Sequence, residues 1–176
     1  MNSSESKPLP SVAVIVFNRF SPFHISVPSI VFGRDTLNEM FFDLKFVAGE
    51  PGPILSDIGM EIHPSDGLDA LKHSDIIIVP YWRTIDERPN KQLIDALRHA
   101  NDRGALVVGL CLGGYVLAYA GLLAGKRAAT HWELEQDFHQ RFPEVSLDSN
   151  ALYVEDNCVI TSAGTAAGID CCLYIF

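Results

Sequence analysis

Residues 105–125, "ALVVGLCLGGYVLAYAGLLAG", contain no charged side chain. About 20 apolar residues suffice to cross a bilayer, so this stretch decides first which solvent the chain folds in. Glycines at 109, 113, 114, 121 and 125 interrupt it. Upstream, residues 90–102 read as an amphipathic helix, with Leu93, Leu97 and Ala100 on one face and Lys91, Asp95, Arg98 and Asp102 turned outward. Gly104 follows, the residue type favoured just past a helix C-terminus. The uncharged stretch therefore reads as two buried elements of a water-soluble domain. A strand over 105–110 is followed by a helix to about Leu123, with Cys111 at the turn between them.

The same alternation runs along the rest of the chain. "SVAVIVF" (11–17) is a β-branched run suited to a strand buried on both faces, and a helical segment follows over 22–33. "FFDLKFVAG" (41–49) alternates as a less buried strand, and "SDIIIVP" (74–80) is a central strand stopped by Pro80. A shorter helix is predicted over 132–142. "ALYVEDNCVITSAG" (151–164) predicts a hairpin turning at Glu155-Asp156-Asn157, and a last helix begins near Gly164. Strands alternating with helices argue for an α/β sheet covered on both faces. Function in such sheets collects at the carboxyl ends of the strands. That singles out the loop after Phe17, the loop after Pro80 and the turn at Cys111.

Composition narrows the classes. A chain of 176 residues is expected to form one domain. The polar "MNSSESKPLP" (1–10) is predicted to be a disordered tail, leaving 11–176 as the domain, and it lacks the apolar core of a signal peptide. Net charge is −9, from 22 acidic and 13 basic residues, so this segment has no general attraction for a phosphate backbone. Of the cysteines 111, 158, 171 and 172, the last two are adjacent, which disfavours a bridge between them. No C-x-x-C spacing is present, and the reading is reduced thiols in the cytoplasm. "GTAAGIDCCLYIF" stops on apolar residues without a capping glycine or a basic last turn. The expectation is a piece of a longer chain.

Gly109-Leu110-Cys111-Leu112-Gly113 has the layout of a G-x-S-x-G nucleophile elbow with Cys for Ser. Small residues on either side let strand and helix approach closely, and the central side chain projects at a helix N-terminus, which favours a thiolate. The alternative is a buried cysteine packed as a small hydrophobe. A nucleophile needs a base. His131, in "ATHWELEQ", can serve, or can simply make a structural hydrogen bond at a helix start. The other histidines, at 24, 63, 73, 99 and 139, show no metal spacing, and His131 with Glu135 is too small a set for a metal site.

The segments "GLCLGGYVLAYAGLLAGKRAATHWE" and "TSAGTAAGID" resemble the PfpI-like branch of the class I glutamine amidotransferase-like superfamily. They are most similar to the N-terminal sensor domain of AraC-type transcriptional regulators. The resemblance covers about Val12 to the end. It implies a flavodoxin-like αβα sandwich with a mainly parallel sheet, an elbow at Cys111 and a partner histidine at His131. It also implies a helix-turn-helix DNA-binding domain beyond residue 176. Three departures weigh against turnover: His24 stands where catalytic relatives carry an acid, Tyr81 where they carry a glycine, and Leu112 where a small or polar residue is frequent. The expected function is a non-catalytic, ligand-sensing and dimerising domain, with a small-molecule effector bound by Cys111, Leu112, His131, His24, Tyr81 and Trp82. Trp82 can equally be core packing. DNA would be contacted only through the missing domain, and no cofactor, metal or membrane partner is expected. The competing reading is a PfpI-like cysteine hydrolase or isonitrile hydratase using Cys111 and His131.

Overall fold

The computed structural model describes residues 8–33 and 39–176. Most of the predicted tail, residues 1–7, lies outside the described residues, and residues 8–10 are exposed. The central sheet contains β1 (Ser11–Val16), β2 (Asp43–Ala48), β5 (Ile76–Val79), β6 (Leu106–Gly109), β9 (Tyr153–Asp156) and β10 (Val159–Ser162), in the order β2-β1-β5-β6-β10-β9. Every neighbouring pair is parallel except β9 and β10, which form the predicted hairpin.

Alternation along β1 explains the layers. Ala13 and Ile15, with Phe17 just beyond the strand, pack into one core, and Val12 and Val14 into the other. The first core is closed by α2 (Lys91–Asp102), α3 (Gly113–Tyr119) and α4 (Glu135–Arg141), through side chains such as Leu93, Leu97, Tyr115 and Phe138. The second is closed by α1 (Pro22–Phe32) and α5 (Ala167–Ile175), through Val27, Phe32, Cys171 and Cys172. The result is the expected three-layer αβα sandwich. No helix among the described residues is long and apolar enough to cross a membrane.

Some boundaries differ from the sequence reading. α3 ends at Tyr119 rather than near Leu123, because Gly121 and Gly125 adopt φ of 76° and 72° and the chain turns between them. The hairpin turns one residue later than predicted: β9 keeps Glu155 and Asp156, and Asn157 takes the left-handed conformation at φ 56°. α5 begins at Ala167, since Thr165 at φ 46° blocks an earlier start. The predicted helix over 132–142 is a 3-10 turn, Trp132–Leu134, followed by α4. Two pairs of two-residue strands, β3 (Ile54–Leu55) with β4 (Glu61–Ile62) and β7 (Arg127–Ala128) with β8 (Ser146–Leu147), were not anticipated. The same holds for a 3-10 turn over Leu68–Lys72. Segments this short carry no periodicity to read.

α3 lies unusually close to the end of β5. A methyl group on Gly113 would sit 2.0 Å from the Val79 carbonyl oxygen, a backbone atom that cannot swing aside. Gly113→Ala is expected to cost roughly 2–3 kcal/mol of stability, as overpacking does. A urea denaturation midpoint lowered without a change in slope would show it.

Candidate functional site

The crevice is built around the turn between β6 and α3. The Leu110 N–H donates to the Val79 carbonyl at 3.0 Å, tying the end of β6 to β5. Cys111 then takes φ 52°, a left-handed conformation uncommon for a residue with a side chain. Both glycines of G-x-C-x-G are sterically required: a methyl on Gly109 would meet the Gly114 nitrogen at 2.9 Å, and Gly113 faces the Val79 carbonyl. The Cys111 N–H donates to Ser162 Oγ at the end of β10, 3.3 Å away. This is the strand-turn-helix context an elbow needs.

The thiol itself is 4% exposed. Burial pushes its pKa up, opposed by the backbone N–H groups of Thr165 and Leu112 beside the sulfur. At neutral pH the group is therefore a thiol, not an activated thiolate. The Leu112 side chain, by contrast, is half-buried and packs against the core under α3.

His131 caps the 3-10 turn Trp132–Leu134, its Nδ1 accepting the Glu133 N–H at 3.3 Å. The ring presses against Gly164, where a methyl would lie 2.2 Å from Cδ2 and 2.7 Å from Nε2. It also stacks on Trp132 at 5.9 Å between centroids. Among the described residues no hydrogen bond joins His131 to the Cys111 sulfur. The histidine is near the thiol's crevice but is not set as its base.

His24, in the first turn of α1, shares a 2.9 Å hydrogen bond between Nδ1 and Ser21 Oγ. Its Nε2 is buried and has no hydrogen-bond partner among the described residues. The ring lies 4.9 Å from that of Tyr81. Burial lowers the His24 pKa, the charge of His131 lowers it further, and Asp57 works in the opposite direction. Tyr81, at the end of β5, is pushed up by burial and then by Cys111. The His24 and Tyr81 rings are in contact, and His131 and Cys111 act on them from nearby, beyond the carboxyl ends of β1, β5 and β6.

Trp82 is not part of the crevice wall. It is 2% exposed, its Nε1–H donates to the Glu87 carbonyl at 2.8 Å, and it meets Phe17 edge-on at 4.9 Å. Extended neighbours point to opposite sides, so turning Tyr81 toward the crevice sends Trp82 into the core. Arg83 follows, its guanidinium 4.8 Å above the Trp82 ring. It donates to both oxygens of Glu50 at 2.6 and 2.9 Å, to both oxygens of Glu87, and to the Asn18 carbonyl at 3.2 Å. The Asn18 N–H donates to Glu50 at 2.7 Å. This clamp joins the loops after β1, β2 and β5, and with its carboxylates it holds the Arg83 pKa raised.

Sequence reasoning missed Ser21, Ser162, Thr165, Trp132 and the Arg83 clamp. The motif "TSAGTAAGID" carried a signal for two of them, because Ser162 and Thr165 both face Cys111 from the β10–α5 connection. Arg83 is 33 residues from Glu50 and 65 from Asn18 in sequence, and no local pattern links them.

The model of the DJ-1/PfpI family matches residues 10–176, a span that includes the elbow and His131. The chain belongs to the DJ-1/PfpI family. It is 34% identical over 124 residues to the HTH-type transcriptional regulator CdhR of Pseudomonas aeruginosa, a match covering 70% of this chain and 37% of that protein. It is 31% identical over 120 residues to isonitrile hydratase of Pseudomonas putida, covering 67% of this chain and 51% of that protein. The chain thus spans between about a third and a half of the length of these relatives. Among solved structures, an AraC family transcriptional regulator from Pseudomonas putida superposes with a TM-score of 0.79 at 23% identity, covering 94% of this chain and 90% of that one. Drosophila melanogaster DJ-1beta gives 0.78 at 20%, covering 95% and 88%. At such identities the structural likeness is one of fold.

The lowered His24 pKa has a definite sign in this DJ-1/PfpI domain. Folding disfavours the protonated imidazole, so the unfolded chain binds a proton that the folded one resists. His24's contribution is then fully present above about pH 6.5, the ordinary histidine value, and is lost as pH falls below it. Urea titrations between about pH 8 and pH 5 are expected to show this loss, and His24→Gln to flatten it.

Proposed function

We propose that this DJ-1/PfpI domain is the ligand-sensing and dimerising part of an AraC-type transcriptional regulator in the cytoplasm, and that its crevice binds an effector without turning it over. DNA would be contacted by a separate helix-turn-helix domain, consistent with the fraction of CdhR that the chain spans. The observation that carries this reading is the setting of Cys111: a buried thiol, its pKa raised by that burial, with no hydrogen bond to His131 among the described residues. A nucleophile without a base is a poor catalyst, whereas the unpartnered Nε2 of His24 is an unfilled hydrogen-bonding position for a small molecule.

The competing reading has its own support. The Leu112 and Thr165 N–H groups beside the sulfur are donors of the kind that stabilise a developing anion, and isonitrile hydratase is a relative. The two separate cleanly. A metabolite that raises the melting temperature equally in the wild type and in Cys111→Ser supports sensing. Conversion of an alkyl isonitrile to its N-alkylformamide, abolished by Cys111→Ser, overturns it.

We propose α1 as the surface of that dimer. Its sequence, "PFHISVPSIVF", has no charged residue, and Phe23 and Ile30 project from it, Ile30 at 78% exposure. Exposed apolar side chains on an uncharged helix call for cover, and an uncharged face is where two copies of a chain at −9 repel least. Sedimentation is expected to show a dimer that Ile30→Arg weakens at least about tenfold, the cost of burying an unpaired charge. A monomeric wild type removes the dimer from the proposal.

A further inference from the structure

Away from the crevice, α2 and the 3-10 turn Leu68–Lys72 stand apart over the β2 edge of the sheet. The space between them is a groove of about 830 Å³. None of Cys111, Tyr81, His24 and His131 lines it. The size lies within the range of small-molecule sites, roughly 300–1,000 Å³.

The groove follows from the spacing of α2. Gln92, Ala96, His99 and Arg103 recur at the intervals that line one side of a helix. The central positions, Ala96 and Ala100, carry only methyl groups, which leaves room beside Leu68 and Leu71. The floor is therefore apolar: Leu71 and Ala100 are buried, and Leu68 and Ala96 pack against the same core.

The ionic groups on the walls are already committed. Lys72 pairs with Asp69 at 2.6 Å and Lys91 with Asp95 at 2.5 Å, while Glu50 is held by Arg83. Arg103 donates to the carbonyls of Leu71 and Ser74. The side chains of Gln92 and His99 have no hydrogen-bond partner among the described residues. A charged ligand would have to break one of these pairs, or be desolvated over the leucines without a counter-charge. A neutral one meets neither cost.

We propose that this groove is a second binding site, for a neutral, largely apolar small molecule that places one or two hydrogen-bonding groups against Gln92 and His99. The site is independent of what the crevice binds. The test uses the whole chain and N-phenyl-1-naphthylamine, a neutral fluorophore with one N–H group. Saturable, blue-shifted emission is expected from the wild type. Ala96→Trp, which fills the groove from α2, is expected to weaken it at least about tenfold, and His24→Gln in the crevice to leave it unchanged. A two-dimensional amide NMR titration of the wild type gives the same answer without a variant, with shifts confined to residues 48–51, 67–72 and 92–103. No saturable binding, binding that survives Ala96→Trp in a folded variant, loss on His24→Gln, or amide shifts elsewhere would each overturn the proposal.

Discussion

Where α3 meets β5, the Gly113 backbone lies against the Val79 carbonyl with no room for a side chain between them. That approach lets the chain reverse from β6 into α3 within three residues, and it is the reason Cys111 must take a positive φ. It also carries the rest of the α3 side of the sandwich inward. Tyr115, one turn into α3, becomes fully buried, and its hydroxyl donates to Asp137 on α4 at 2.8 Å. Asp137 is held in turn by Arg141, which also reaches Asp86 in the loop beyond β5. The segment bearing His131 leads directly into α4. The position of the crevice histidine is thus a downstream result of how closely one glycine packs.

The crevice has an electrostatic character unlike the molecule around it. The chain carries a net charge of −9, yet burial holds the Cys111 thiol, the Tyr81 hydroxyl and the His24 imidazole toward their uncharged forms. Of the strong charges nearby, Arg83, Glu50 and Glu87 are engaged with one another in a clamp beside it. An interior of low polarity amplifies each remaining hydrogen bond. A site made of neutral donors and acceptors therefore selects by shape and hydrogen-bond pattern more than by charge.

Much of this was legible in the sequence. The β-branched runs of β1, β5 and β6, the amphipathic α2 and the glycines around Cys111 obey short-range rules, and they were enough for the layers, the parallel sheet and the elbow. What escaped has a common physical origin. Tyr81 and Trp82 are adjacent and both aromatic, and only the direction in which the chain leaves β5 decides that one lines the crevice and the other enters the core. The helix ends shifted where Gly121, Gly125 and Thr165 took left-handed conformations whose need is set by tertiary contacts. The Arg83 clamp joins residues from three loops, and nothing in local spacing announces it.

The backbone at Cys111 has one more consequence. A residue with a side chain in the left-handed region costs on the order of 1–2 kcal/mol relative to glycine, which rests there freely. Replacing this cysteine by glycine would relieve that strain, at a turn already flanked by Gly109 and Gly113. A protein shaped only by the demands of stability would have little reason to keep sulfur there. The thiol stands at one of the corners of the fold that penalise a side chain, and it does so where the strand ends of the parallel sheet converge.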